Sequence, residues 1–93
     1  MPDPKRIKIR GRYWRLIRCR LPRGVWGRCD APNEPNKAIR IRPGLPPAEE
    51  LRVLLHECLH AADWHMCEES VDELSTDLAT VLIRDGWRKD AER

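Results

Sequence analysis

The hydrophobic period of this chain changes once, and that change bounds what it can fold into. Before residue 42 the regular segments, around Ile7 and Ile9 and around Ile39 and Ile41, have apolar residues at every second position, the period of a strand. From Pro47 they recur at three and four, the period of a helix. Between the two, Pro43-Gly44-Leu45-Pro46-Pro47 stops both patterns. In the first part, Ile7 and Ile9 alternate with Lys8 and Arg10, and Gly11 interrupts. Trp14, Leu16 and Ile17, with the residues up to Arg20, read as a second strand, and Val25 to Cys29 as a short third one. Residues 30–36 are loop by composition, and Lys37 to Arg42 alternates again, with Ile39 and Ile41 on one face. At 93 residues there is room for one domain, 1–93, and not for a barrel or a doubly wound sheet. The expected class is α+β, a small antiparallel sheet followed by a helical hairpin.

In the helical part, Pro47 suits a first turn, and Glu49 and Glu50 suit the positive end of the helix dipole. Leu51, Leu54, Leu55, Cys58, Leu59 and Ala62 form the expected buried stripe. Asp63 to Cys67 breaks the period and turns the chain. A second stripe of Val71, Leu74, Leu78, Val81 and Leu82 follows, and Gly86 stands where a C-terminal cap is expected.

The two parts carry opposite charge. Residues 1–46 hold 13 Lys+Arg against 3 Asp+Glu, a net of +10, whereas residues 47–93 hold 5 against 12, a net of −7. The split fits mutual attraction of the halves. It also fits a nucleic-acid contact on the basic stretch Lys5 to Arg28, where Tyr13 and tryptophans are interleaved with arginines. No apolar run is long enough for a membrane span, and the charged, Pro-containing N-terminus does not read as a secretory signal. Cys19, Cys29, Cys58 and Cys67 are not spaced as CxxC pairs, so the expectation is a cytoplasmic protein with reduced thiols.

His56-Glu57-Cys58-Leu59-His60 is an HExxH sequence within the first predicted helix. Residues four apart share a helical face, so two imidazoles can grip one tetrahedral zinc ion, and the adjacent Glu57 can act as general base. The buried stripe is expected to leave His56, Glu57 and His60 on another face, bordering a cleft. A catalytic zinc needs a third protein ligand. The candidates are Glu68, Glu69, Asp72, Glu73 and His65. A second helix folded back on the first brings its opening turn near His60, which favours Glu68 or Glu69 over Glu73 and Asp77.

An HExxH helix followed by a Glu on the next helix resembles the gluzincin group of zinc metallopeptidases. Glu68, Asp72, Leu74 and Ser75 stand at offsets that match the group's second motif. By that resemblance Glu68 is the third ligand, and Asp72 orients a ligating imidazole. From Lys37 to about Trp87 the chain also resembles the small HExxH proteins of phages and bacteria and, more distantly, the metallopeptidase domain of the ImmA/IrrE regulators. The run Trp26-Gly27-Arg28-Cys29-Asp30 is similar to that group too. The resemblance implies hydrolysis of a peptide or protein substrate by a zinc-activated water, with Glu57 moving the proton. It implies an edge strand at Ala38 to Arg42 that pairs with an extended substrate, and an oxyanion stabiliser, for which Tyr13 and His65 are the first options and Arg10, Arg12 and Arg40 further ones. The chain departs from the larger gluzincins in its short link, seven residues between His60 and Glu68. A competing reading keeps the zinc site in a regulatory or interaction module that cleaves little.

Overall fold

The computed structural model describes residues 4–89. Its elements are β1 (Lys5–Ile9), β2 (Arg12–Arg18), β3 (Gly27–Cys29), β4 (Ala38–Ile41), α1 (Pro47–Ala62) and α2 (Glu68–Arg84). The fold is α+β, one four-stranded sheet and a helical hairpin. Among the described residues no helix is long and apolar enough to cross a membrane.

The β1–β2 hairpin closes on Arg10 and Gly11, both with positive φ (51° and 81°). Two left-handed residues in a two-residue loop match the right-handed twist of the strands they join, and glycine takes that conformation without strain. The sheet order is β1-β2-β4-β3. Pairing is antiparallel at β1–β2 and β3–β4 but parallel at β2–β4, where Leu16 faces Ile39. The sheet is therefore mixed rather than wholly antiparallel. The cause is the path of residues 19–26, which skip the slot beside β2 and deliver β3 to the far edge. β4 then returns into the gap. Arg42 holds this crossing, its guanidinium donating to the carbonyls of Val25 (3.0 Å), Leu21 (3.2 Å) and Pro22 (2.7 Å). Asp30 fixes the opposite end: its carboxylate accepts from the Ala38 N–H and from Arg40, and its carbonyl accepts the Trp14 indole N–H.

Side chains alternate across the sheet. Ile7, Ile9, Trp14, Leu16, Cys29, Ile39 and Ile41 face α1 and pack with Val53, Leu54, Cys58 and Ala61. α1 lies along that face, and α2 packs on α1 alone, giving the layers sheet, α1, α2. The ends of α1 are tied to the sheet. Glu50 in its first turn pairs with Arg18 at the end of β2, and Arg10 donates to the carbonyl of Ala62.

Both helices are rotated from the faces expected of their leucines. On α1 the deepest positions are Val53, Glu57 and Ala61, while the leucines of the expected stripe are half-buried between the sheet and α2. On α2 they are Val71, Ser75 and Ala79, whereas Leu74, Leu78 and Val81 stay exposed. Small residues at the contact line let the two helices approach closely. The same rotation turns Glu68 and Asp72 toward α1.

Candidate metal centre

Three donor atoms from the two helices converge. His56 and His60, one turn apart on α1, bring their Nε2 atoms to 3.2 Å from each other. Glu68, the first residue of α2, places Oε1 2.9 Å from His56 Nε2 and 3.3 Å from His60 Nε2. An ion with bonds of about 2.0–2.1 Å holds tetrahedral ligands about 3.3 Å apart, so the triangle fits one such ion with little adjustment. Two imidazoles and a carboxylate make a donor set that could hold a metal ion. The imidazoles are largely buried while Glu68 reaches in from solvent. Glu69, Glu73 and Asp77 are exposed and outside this cluster.

The short link sets the geometry. α1 ends at Ala62, the Asp63 N–H still bonding the Leu59 carbonyl, and a turn closes with Met66 N–H on the Asp63 carbonyl. α2 starts at once, so its first carboxylate lands beside the last turn of α1. One turn further on, Asp72 Oδ1 lies 3.1 Å from His56 Nδ1. That nitrogen is buried, and the carboxylate oxygen stands off its N–H direction, so the two make an electrostatic contact rather than an aligned hydrogen bond. A small rotation of either group would complete it.

Glu57 borders the same cleft as the two histidines, with its side chain buried against β3. A Cβ built on Gly27 would meet Glu57 Oε2 at 2.9 Å and Val53 Cγ1 at 2.7 Å, so only glycine leaves room for this seat. Burial pushes the Glu57 carboxyl up to about 7; His60 pulls it down and the Glu68 charge pushes it up. Nearby, burial first and the Glu57 charge second push the Cys29 thiol up to about 12, and the same two causes raise Cys58. All four cysteines are free.

A cleft of about 480 Å³ opens over these groups, lined by Gly27, Cys29, His56, Glu57, His60, Trp64, Met66 and Glu68. The Trp64 ring stands edge-on to His60, centroids 6.3 Å apart. Tyr13 and His65 do not line this cleft. Tyr13 lies on β2 with the Arg6 guanidinium 3.7 Å from its ring, and His65 borders a neighbouring hollow with Arg10 and Arg12. Gly27, Cys29 and Met66 were not expected at the site. The available signal was an isolated glycine inside a strand pattern, which marks close backbone approach.

The strand beside the cleft is β3, not Ala38 to Arg42. β4 is interior, with β2 on one side and β3 on the other, so it has no edge to offer a substrate. β3 does. The Asp30 N–H bonds the Ala38 carbonyl and the Arg42 N–H bonds the Trp26 carbonyl. In that antiparallel register the backbone groups of Gly27 and Cys29 point away from β4, toward the open edge. Comparison with protein-family models, curated proteins and solved structures found no match.

Proposed function

We propose that the protein is a zinc-dependent peptidase of gluzincin type, with His56, His60 and Glu68 as ligands and Glu57 as general base. The observation that carries this reading is the spacing of the three donor atoms, 2.9–3.3 Å, at the mouth of a cleft that also holds a buried carboxylate. Zinc, when bound, supplies a Lewis acid that polarises a carbonyl and lowers the pKa of water.

The chain's own residues do the rest. The Asp72 carboxylate, 3.1 Å from His56 Nδ1, favours the tautomer with its proton there, which leaves the Nε2 lone pair free for the ion. Glu57 accepts a proton from the attacking water and passes it to the leaving amine. Its seat against β3 keeps it out of the ligand set while holding it beside the ligands. The free backbone groups of Gly27 and Cys29 receive an extended substrate segment as an added strand, fixing the scissile bond over the centre.

The test is Glu57→Gln. It removes the base and retains the three ligands. Zinc content stays at one per chain, and cleavage of an unstructured protein such as casein falls by about 10²–10⁴-fold. Cleavage that persists at the parent rate would refute the assignment of Glu57. Zinc bound by a parent protein that cleaves nothing would favour the regulatory module instead.

A further inference from the structure

Among the described residues no helix or strand covers the sheet face opposite α1, and its side chains are mostly cationic. Arg6, Lys8, Arg15, Arg28 and Arg40 all project from it by strand alternation. Cross-strand pairing sets them side by side: Arg6 faces Arg15, and Arg28 faces Arg40. Like charges directly opposite each other destabilise a sheet, so their presence asks for a reason other than stability. The face carries one acid, Asp30, already paired with Arg40. Arg28 makes no ion pair among the described residues.

Two aromatic rings flank this surface. Tyr13 (42% exposed) lies on the hairpin, with Arg6 and Lys8 at its ring. Trp26 (53% exposed) precedes β3 at the other edge, with the Arg42 guanidinium 5.5 Å from its ring centre. Guanidinium groups that neutralise phosphates, beside flat rings on which bases stack, are what an unpaired nucleic-acid strand requires. A duplex keeps its bases stacked inside and offers the rings nothing. The metal cleft lies at the opposite side of the sheet, so the two surfaces do not compete.

We infer that this open face binds single-stranded nucleic acid, its arginines holding phosphates and Tyr13 and Trp26 stacking bases. The inference is independent of the peptidase reading. The probes are fluorescein-labelled dT20, U20 and a 20-base-pair duplex, measured by anisotropy from 50 to 300 mM salt. Both single strands, dT20 and U20, bind more tightly than the duplex. Three to five phosphate contacts give a log–log salt slope of about −2 to −3.5. Arg6→Glu and Arg28→Glu change exposed side chains that make no hydrogen bond to the backbone among the described residues. Each weakens binding about tenfold and flattens the slope by about 0.7. Tyr13→Ala and Trp26→Ala weaken it roughly 5- to 100-fold with the slope unchanged. Arg84→Glu on α2 makes the same charge change away from the face and leaves binding intact, as does chelation of metal. Circular dichroism confirms that each variant is folded. The inference is overturned by no binding at 50 mM salt, by tighter binding of the duplex, or by Arg84→Glu acting as strongly as Arg28→Glu. Salt-sensitive self-association in sedimentation, with no oligonucleotide bound, would also overturn it and assign the face to the acidic half of a second copy.

Discussion

A methyl group at Gly27 tests the seat of the buried Glu57 carboxylate. Gly27 does not have a positive φ, so alanine costs no backbone strain there and the effect is steric. The new Cβ would stand 2.7 Å from Val53 Cγ1, 2.9 Å from Glu57 Oε2 and 3.0 Å from Glu57 Cγ. Ordinary contact between carbons is about 3.5–4.0 Å, so β3 and α1 must separate by about 1 Å or Glu57 must swing out. Overpacking of this kind costs about 1–3 kcal/mol. For a domain of this size each kcal/mol lowers the melting temperature by about 4–8 °C. Urea denaturation of Gly27→Ala should show that loss, and on the proposed function casein cleavage should fall further than stability alone accounts for, because the proposed base has moved. Val53→Ala is the companion. It is destabilising alone, but in the Gly27→Ala background it relieves the closest clash, so the double variant loses less than the sum of the singles. A Gly27→Ala protein with the parent's midpoint and cleavage rate would refute the close approach of β3 to α1.

Zinc at one hundred times its dissociation constant should stabilise the fold by about 2.7 kcal/mol, read as a higher melting temperature that a chelator reverses. In a chelator-competition assay Glu68→Gln should weaken zinc binding, Asp72→Asn should weaken it about 10–100-fold, and Glu69→Gln should leave it unchanged. Asp30→Ala leaves the buried N–H of Ala38 without its acceptor, an expected loss of about 1–3 kcal/mol in urea denaturation. Iodoacetamide should label Cys67 first, since it is exposed and its thiol pKa is lowered, most by the hydrogen bond with Ser70, and Cys29 last. Unfolded, Cys29 ionises near 9.0; folded, it holds its proton to about 12. Its contribution therefore makes the fold less stable as pH rises from about 9 toward 12, a slope that Cys29→Ala should reduce.

Much of this arrangement is legible in the residues. The helical period and the prolines place the start of α1, and the spacing of His56 and His60 puts both imidazoles on one side of it. Folding the second helix back leaves Glu68 or Glu69 to meet them; the resemblance selects Glu68, and it is Glu68 whose carboxylate lies with the imidazoles. The parallel β2–β4 pair is not legible, because alternation reveals that a segment is a strand and says nothing of its neighbour. The faces of the helices are misread for a related reason. Leu74, Leu78 and Val81 dominate any hydrophobic pattern on α2, yet the contact is made by Val71, Ser75 and Ala79, whose value lies in small size and in aiming Glu68 and Asp72. The burial of Glu57 is not legible in the motif. Its buried seat depends on a glycine thirty residues earlier in the chain, which no local window contains.

The three donors lie within one hairpin, from His56 to Glu68. Contacts so near in sequence form early in folding, because little chain must be ordered to close them. The seat of Glu57 is built from β3, reached only after the crossing of residues 19–26 and the insertion of β4. The three donors can thus come together before the sheet is assembled. On the proposed function, a chain whose β3 has not docked would carry the three donors without the seated carboxylate, so metal binding and peptidase activity would separate during refolding.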